Sequence, residues 1–340
     1  MTTSDHNLPR VRIIMVTYNS VTKLGKYFDK VLSGIAELNY DYDKIDVVIV
    51  DNNSSDNTAK HAEKTLMSKD RTSKVNVIKL NRNVGLPKGY DVGATTSKSK
   101  IPKYFLFIND DVILTQEVIN RLVSVMERDK TIGTASPLII HPDGRYEVGF
   151  EAGLTGYVRP LQPRKPYKEL IDVFAIAGCS LIVKSQLFFE IGGFDPHFFW
   201  GYDDVDLCWR IHSKGFRTVV VTTVHVHHYG SATLGKENPV KYYLGIRNWI
   251  WMYFKNHSLK MAILLAPILL GEILVILLWK LIKRDGATTR AIVKGVMDSI
   301  KHLPFFIKGG LISYNKDKLE IIKLMKPYVD AKLLMSNILR

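Results

Sequence analysis

Four short and almost continuous apolar runs near the start of the chain constrain its fold more than any other feature. They are VRIIMV (11–16), DVVIV (46–50), VNVIKL (75–80) and YFLFI (104–108). Runs of this length without polar alternation are typical of strands that are buried on both faces. Amphipathic stretches such as residues 22–36 and 55–68 lie between them. This alternation predicts an α/β fold with a mostly parallel central sheet and helices on both faces.

Polar residues gather where each of these four runs stops. The sequences that follow them are, in order, TYNS, DNNSSDNT, NRNVG and NDD. Asn, Asp and Ser are common turn formers, so any one of these segments could be an ordinary turn. In open parallel sheets, however, ligands bind outside the carboxyl ends of the strands. Four polar segments in succession therefore predict a single binding crevice at that edge.

The tripeptide Asn109-Asp110-Asp111 is the first candidate for chemistry at this edge. Carboxylate and amide oxygens suit a hard divalent cation such as Mg²⁺ or Mn²⁺ that also holds phosphate oxygens. The alternative is a solvated turn that caps a helix starting near Thr115. Because no glycine-rich loop follows the first strand, a dinucleotide fingerprint and a P-loop are both excluded.

A second acidic cluster lies in GYDDVDLCWR (201–210), ahead of a helix predicted over about 203–214. Carboxylates are favoured at a helix N-terminus, and Asp206 and Arg210 are spaced to form an i,i+4 pair. One aspartate is then left for chemistry. Strand alternation in VHVHHYG places His225 and His227 on one face and His228 on the other. These histidines are either a partly exposed strand end or a contact for metal or phosphate.

Composition indicates a globular chain that is basic mainly at its C-terminus. The 340 residues carry a formal charge of +14, and residues 280–340 contain 13 Lys and Arg against 5 Asp and Glu. Two cysteines, Cys179 and Cys208, form neither a disulfide framework nor a metal motif, which indicates a reducing compartment. The segment MTTSDHNLPR has no apolar core, so we expect no signal peptide and a cytoplasmic first domain.

Residues 261–279, MAILLAPILLGEILVILLW, are long and apolar enough to be a candidate membrane span. A single crossing would place the basic tail outside, against the positive-inside tendency. Two membrane arrangements remain: a hairpin that returns through residues 291–313, or helices that lie in the interface, for which the lysine-rich stretch 319–339 is suited. The other reading is a buried helical core.

The motifs taken together resemble one known family. In order they are IMVTYNS, VVIVDNNSSDNT, NRNVGLPKG, YFLFINDDV, IAGCSLIVKSQLFFEIGGFDPHFFWGYDDVDLCWRIHSKGF and HHYGSAT. They resemble the inverting glycosyltransferases of family 2, which have the GT-A fold, and among them the rhamnosyl- and galactofuranosyl-transferase-like members. The resemblance covers about residues 10–250. It implies a sugar donor linked to a nucleoside diphosphate, UDP or dTDP, and a divalent metal, Mg²⁺ or Mn²⁺.

The resemblance also implies a role for individual residues, each by its position in a motif. Asp204 takes the place of the catalytic base, and Asp111, Asn109 and His228 would hold the metal, with His227 as the alternative histidine. Asn109 departs from the strict D-x-D motif. Donor binding is assigned to Thr17, Tyr18, Asn19, Asp51, Asn52, Asn83, Gly85 and Asp110, acceptor binding to Gly178, Asp203, Asp206 and Trp200, and a pyrophosphate contact to Arg247.

These inferences define the expected organisation and function. Residues 1–240 form a GT-A catalytic domain with a donor half (about 10–130) and an acceptor half (about 131–240), and residues 241–340 form a helical region that associates with membrane lipids. The expected reaction is sugar transfer to a lipid-linked or polymeric glycan at the cytoplasmic face of the membrane. The alternatives are a non-catalytic membrane-docked module and a nucleic-acid binder. The concentration of basic residues beside apolar helices argues against nucleic acid as a partner.

Overall fold

A computed structural model describes residues 8–68, 75–96, 101–162, 168–230, 238–312 and 319–326. The described residues form twelve strands and eleven α-helices in an α/β arrangement. The strands are β1 (Val11–Thr17), β2 (Ile45–Asp51), β3 (Val75–Lys79), β4 (Tyr104–Asn109), β5 (Val112–Leu114), β6 (Ile132–Ile140), β7 (Tyr146–Glu147), β8 (Phe150–Ala152), β9 (Val158–Pro160), β10 (Leu170–Asp172), β11 (Ser180–Lys184) and β12 (Arg217–His228). The helices are α1 (Ser20–Leu24), α2 (Lys26–Ala36), α3 (Thr58–Met67), α4 (Leu86–Thr95), α5 (Val118–Arg128), α6 (Ser185–Glu190), α7 (Asp203–Ser213), α8 (Pro239–Asn256), α9 (Leu259–Ile282), α10 (Gly286–Ile312) and α11 (Leu319–Leu324).

The central sheet has ten strands among the described residues, and its main order is β10-β12-β6-β11-β4-β1-β2-β3. Strands β3, β2, β1 and β4 are parallel neighbours, and β6 pairs in parallel with β12. β11 runs antiparallel between β4 and β6. β5 and β7 are short antiparallel additions to β12 and β6. The four apolar runs are thus strands, and the predicted mostly parallel sheet is confirmed.

Both faces of the sheet are buried, and apolar side chains of the central strands point to each of them. In β1, Ile13 and Met15 point to the face that α2, α3 and α5 cover. Ile14 and Val16 point to the other face, where side chains from α4, α7 and α8 pack. The alternation of side chains along a strand requires two apolar faces for such a run. The expected layers of helix, sheet and helix are therefore present.

The amphipathic stretch 22–36 is not one helix. Gly25, with φ of 51°, ends α1 and begins α2. This region of backbone space is costly for residues with a Cβ, so the glycine permits a sharp change of direction. α1 can then lie beside the strand-end segments while α2 packs on the sheet.

The C-terminal helices pack on the same core as α7. Trp249, Met252 and Tyr253 of α8 are buried in one apolar cluster with Trp209 of α7, and α10 packs along α8. α9 has 24 residues and a mean hydropathy of 2.7, which meets the length and composition of a membrane span. A single helix of this kind is weak evidence for a crossing. Residues 327–339 of the predicted lysine-rich amphipathic stretch lie outside the described residues.

Candidate functional site

The parallel register brings the polar strand ends together at one edge of the sheet. Thr17, the last residue of β1, is the register partner of Asp51 at the end of β2. On the other side of β1, Val16 is paired with Asn109 at the end of β4. Three of the four polar segments predicted from the sequence therefore begin side by side.

A pocket of about 170 Å³ opens at this edge. Its walls combine the ends of the first strands with the loop 199–200 and the start of α8. Of the eight residues assigned to donor binding, six line it, and the predicted Asn109 and Trp200 line it as well. The lining residues are Val16, Thr17, Tyr18, Asn52, Asn83, Gly85, Leu86, Asn109, Asp110, Phe199, Trp200, Val240 and Leu244.

Asn19 and Asp51, the other two residues assigned to donor binding, support the wall from behind. The Asp51 carboxylate is fully buried and accepts hydrogen bonds from the hydroxyls of Thr17 and Ser54. The Asn19 side-chain oxygen accepts from the backbone N–H of Ser55 at 2.7 Å, and the Asn19 backbone N–H donates to the Ser54 hydroxyl at 2.9 Å. These two residues join the segments after β1 and β2 and do not line the pocket.

The loop 198–201 closes the pocket and is held by α8. Asn248 is fully buried, and its Nδ2 lies 2.8 Å from the carbonyl oxygens of Phe198, Trp200 and Gly201. The Arg247 guanidinium donates to the carbonyl of Phe198 at 3.1 Å and stacks 4.2 Å from the ring of Trp251. Arg247 is not among the residues that line this pocket, and its pyrophosphate contact stays a prediction. Its hydrogen bonds support the loop.

Asn109 and Asp110 are held firmly at the end of β4. The Tyr90 hydroxyl donates to Asn109 Oδ1 at 2.8 Å, and the Ser20 hydroxyl donates to Asp110 Oδ2 at 2.5 Å. Burial raises the pKa of Asp110 to about 6, and the adjacent charge of Asp111 acts in the same direction. Extra positive charge at the site would therefore stabilise the ionised form of Asp110.

Asp111 and His228 face each other across the β5–β12 pair. His228 Nε2 lies 3.3 Å from Asp111 Oδ1, which is buried and makes no hydrogen bond. Asp111 Oδ2 accepts from the backbone N–H of Gly230 at 3.2 Å. The His227 ring points elsewhere and packs against the ring of His225. The geometry therefore favours His228 over His227 as the partner of Asp111.

These residues fit a divalent cation that is held mainly by oxygen atoms. Asp111 supplies a carboxylate oxygen without a hydrogen bond, and His228 supplies an imidazole nitrogen beside it. No group of three or more His, Cys, Asp or Glu suited to a metal occurs among the described residues. Mg²⁺ and Mn²⁺ are often bound by one or two protein groups together with water and phosphate oxygens. Asp111 and His228 are therefore the residues that would hold such an ion.

Asp204 lies in the first turn of α7 and is oriented by two backbone donors. Gly178 donates to its Oδ2 and Val205 to its Oδ1, both at 2.8 Å. Burial raises the pKa of Asp204 above its ordinary value. The carbonyl of Cys179, the residue after Gly178, accepts the backbone N–H of Asn109 at 2.9 Å. One short segment thus connects the Asp204 carboxylate to the Asn109–Asp111 tripeptide.

The other two aspartates of the 201–210 cluster differ from Asp204 and from each other. Asp203 is buried at the start of α7, and burial with the neighbouring Asp204 raises its pKa to about 8. Asp206 is fully buried and accepts hydrogen bonds from Arg210, Lys255 and Asn256. The i,i+4 pair with Arg210 is confirmed. The protein encloses Asp206 and occupies both of its oxygens, so this arrangement gives no support to the predicted acceptor contact.

Two residues beside the metal-site candidates were missed by the sequence reasoning. His141 follows β6, and its Nε2 lies 3.1 Å from the Glu147 carboxylate. Its ring centroid is 5.5 Å from that of His228. The segment HPDGRYE, which contains both residues, predicts only a turn. The proximity arises from the parallel pairing of β6 with β12, which local sequence does not reveal.

Comparison with known proteins identifies the family. Residues 12–187, just over half of the chain, match the sequence profile of glycosyl transferase family 2. This chain belongs to that family. Residues 159–232 also match a profile described as the N-terminal domain of galactosyltransferase. The protein is therefore a glycosyltransferase, as the resemblance predicted.

Curated relatives include two bacterial rhamnosyltransferases. The chain is 23% identical over 251 residues to an N-acetylglucosaminyl-diphospho-decaprenol L-rhamnosyltransferase of Mycobacterium tuberculosis, covering 66% of this chain and 78% of the relative. It is 24% identical over 196 residues to the dTDP-rhamnosyl transferase RfbF of Shigella flexneri, covering 54% of this chain and 64% of the relative. The predicted likeness to rhamnosyltransferases is confirmed at this level.

Solved structures share the fold at low identity. One is GalNAc-T7 with UDP, GalNAc and Mn²⁺, with a TM-score of 0.58 and 19% identity over 73% of this chain and 49% of that chain. Another is the mannosyltransferase PcManGT from Pyrobaculum calidifontis with GDP-Man and Mn²⁺, with a TM-score of 0.53 and 16% identity over 99% of this chain and 81% of that chain. The predicted GT-A fold is confirmed.

Proposed function

We propose that this glycosyltransferase transfers a sugar from a UDP- or dTDP-linked donor, with inversion at the anomeric carbon, to a hydroxyl of a lipid-linked or polymeric glycan. The observation that carries the proposal is the link from Asp204 through Gly178 and Cys179 to Asn109. It places a carboxylate with a raised pKa near the Asp111–His228 pair. The proposed proton acceptor is thus joined by one short segment to the end of β4, where the diphosphate would bind.

The donor would occupy the pocket at the strand ends. Asn52, Asn83 and Gly85 line the part of the pocket that a base and ribose would contact, and hydrogen bonds among them fix this wall. Asp110 and Asp111 lie where the diphosphate would reach a divalent cation, Mg²⁺ or Mn²⁺. Such a cation would neutralise charge on the diphosphate as it leaves. The dTDP-rhamnosyl transferase relative and the GalNAc-T7 structure with UDP support a nucleoside diphosphate in this pocket.

Asp204 would act as the general base. Its carboxylate accepts the proton of the acceptor hydroxyl as that oxygen bonds to the anomeric carbon. The bond between the anomeric carbon and the diphosphate oxygen breaks on the opposite face, which inverts the configuration. The N–H groups of Gly178 and Val205 hold the carboxylate in place. A raised pKa makes the carboxylate a stronger base at neutral pH.

The proposed acceptor and its location are supported by the exposed surface of the C-terminal helices and by a relative that acts on a lipid-linked acceptor. The exposed apolar residues of α9 indicate association with membrane lipids. The M. tuberculosis relative is named for an acceptor joined to a polyprenyl diphosphate. Together these observations support a lipid-linked acceptor at a membrane surface, and the proposal assigns this surface to the cytoplasmic face.

The first test is donor binding. Thermal unfolding is measured with UDP-, dTDP- and GDP-sugars, each with and without Mn²⁺ or Mg²⁺. A ligand at 100 times its dissociation constant stabilises the fold by about 2.7 kcal/mol, so a true donor should give a clear, metal-dependent rise in melting temperature. The absence of stabilisation with every UDP- and dTDP-sugar would overturn the donor assignment.

The second test separates chemistry from binding. Asp204→Asn should lower the transfer rate about 10²–10⁴-fold while donor-induced stabilisation persists, because only the proton acceptor is removed. The matched control is Asp143→Asn, an exposed aspartate paired with Arg145 away from the pocket. In the unmodified protein, kcat/KM should rise with pH through a pKa above that of an ordinary carboxyl group. Retained transfer in Asp204→Asn would exclude Asp204 as the base.

A further inference from the structure

One face of α9 packs on the catalytic core from Ala262 to Ile273. Its buried residues recur every three or four positions, which defines a single stripe. Glu272 on this stripe accepts a hydrogen bond from the Thr155 hydroxyl at 2.5 Å, and Lys280 lies 4.4 Å from the ring of Tyr242. The buried members are Ala262, Leu265, Leu269, Glu272 and Ile273.

The other side of α9 is apolar and exposed. Ile263 and Leu264 are 67% and 66% exposed, and Ile282 at the other end is 72% exposed. α10 adds a second exposed apolar row that begins at Val293. Further exposed members are Leu270, Leu274, Leu278, Leu281, Met297, Ile300 and Phe305. We call this surface the α9–α10 face. Exposed apolar residues in this number on two neighbouring helices mark an interaction site.

The charge around the α9–α10 face indicates what covers it. Residues 259–312 contain eight Lys and Arg against three Asp and Glu. Lys260 precedes the apolar row, Lys283 and Arg284 follow it, and Arg290 and Lys294 lie on α10, all exposed. Basic residues beside an apolar helix surface suit anionic lipid head groups, whereas the same face of a second copy would repel it. The occupant that fits both features is an anionic membrane.

We propose that α9 and α10 lie in the plane of an anionic membrane surface and that α9 does not cross the bilayer. A helix of 24 residues is long enough to span, at about 36 Å. A crossing, however, would carry the core that is packed along α9 into the hydrocarbon, together with polar groups such as Glu272 and Thr155. When α9 lies in the plane of the surface, one side of the helix contacts the catalytic core and the other side contacts lipid.

This arrangement sets the position of the pocket relative to the lipid. α10 packs along α8, and α8 contributes Val240 and Leu244 to the pocket wall. The proposed sugar-transfer site is therefore one helix away from the membrane surface. Only this consequence for a lipid-linked acceptor rests on the proposed function, because membrane docking needs neither donor nor catalysis.

Vesicle binding by the full chain tests the docking. Vesicles of phosphatidylcholine with about 30% phosphatidylglycerol should bind the protein, more strongly at low salt than at high salt. A triple variant, with Leu264→Glu, Leu274→Glu and Leu278→Glu combined, should partition onto vesicles about a thousandfold more weakly. Each leucine that is buried in lipid contributes at least about 1.5 kcal/mol to binding. The matched control is Met67→Glu, on an exposed residue of α3 (54% exposed), which should bind like the unmodified chain.

Depth measurements test the orientation. Spin labels are attached to single cysteines introduced at Leu264, Leu270 and Leu278, because the native Cys179 and Cys208 are buried. An in-plane helix places all three labels at similar, shallow depths. A crossing separates the first and last by about 21 Å along the bilayer normal.

The outcomes are distinguishable from those of the transfer assay. Depths that differ as a crossing requires would overturn the in-plane arrangement. Lipid would be overturned as the occupant if Met67→Glu also lost vesicle binding. It would equally be overturned if the unmodified chain bound no vesicles and formed a soluble dimer that the triple variant dissociates. All measurements omit the nucleotide sugar, so a protein that binds vesicles but transfers no sugar would refute the proposed function alone.

Discussion

Asp206 offers the sharpest test of which aspartates serve structure and which serve chemistry. Its carboxylate accepts from Arg210 Nε and Nη2 at 2.9 and 2.6 Å, from Lys255 at 2.9 Å and from Asn256 at 2.8 Å. Asp206→Ala would leave the buried Arg210 guanidinium without its opposite charge. Breaking a buried ion pair in this way costs about 3–5 kcal/mol.

The structure places the expected loss toward the lower part of that range. Arg210 Nη1 keeps hydrogen bonds at 2.7 Å to the carbonyls of Ile191 and Gly193. Lys255 keeps its ion pair with Asp195 at 2.7 Å. We therefore expect Asp206→Ala to lower the free energy of unfolding by about 3 kcal/mol.

Urea-induced unfolding, followed by circular dichroism, measures this loss. The matched control is Asp172→Ala, which removes a bidentate but exposed partner of Arg217 and should cost at most about 1 kcal/mol. Replacing both Asp206 by Leu and Arg210 by Met should recover much of the stability, because no unpaired charge remains between them. If Asp206→Ala unfolds like the unmodified protein yet transfers no sugar, the structural role is refuted and an acceptor role is supported.

Three further predictions concern the residues around the pocket. Gly178→Ala should lower kcat about 10–100-fold with donor affinity unchanged, because the added Cβ would lie 3.0 Å from the Cβ of Asp204, the proposed base. In the control Gly245→Ala, the added Cβ meets no atom within 4 Å, so transfer kinetics should not change. Gly85→Ala should weaken donor binding, measured by titration, at least tenfold, because its φ is 84° and the added Cβ would lie 2.6 Å from the Phe199 carbonyl oxygen; unchanged affinity would mean that the loop adapts freely. The pKa of Asp203 is about 8 in the folded state and lower in the unfolded state, so the free energy of unfolding falls as pH rises from about 4 to about 8. Asp203→Asn should remove this slope, so its melting temperature should gain on that of the unmodified protein more at pH 8 than at pH 5. Equal gains at the two pH values would contradict the prediction.

The parts of the fold that depend on residues close together in the sequence were predictable from it. The apolar runs at 11–16, 46–50, 75–80 and 104–108 are strands because their burial on both faces requires such runs. The helix after Asp203 and the Asp206–Arg210 pair follow from helical spacing. The meeting of strand ends at one edge follows from parallel pairing, which the strand and helix alternation implies.

The separation of roles within the site required the tertiary structure. Asp203, Asp204 and Asp206 are alike in the sequence, but the burial of Asp206 depends on Lys255 and Asn256, some 50 residues away. The preference for His228 over His227 depends on the register between β5 and β12. The hydrogen bond from the Arg247 guanidinium to the carbonyl of Phe198 joins residues 49 positions apart, and no local pattern indicates it.

The sequence by itself determined the order of the first strands and helices along the chain, the edge at which the polar strand ends meet and the apolar character of α9. Each of these depends on side-chain periodicity over a few residues or on the geometry that parallel strands impose. The tertiary structure decided which acidic groups remain open to a ligand and which face of α9 is left uncovered. Those outcomes depend on contacts between distant segments, such as Glu272 with Thr155, that no local pattern encodes.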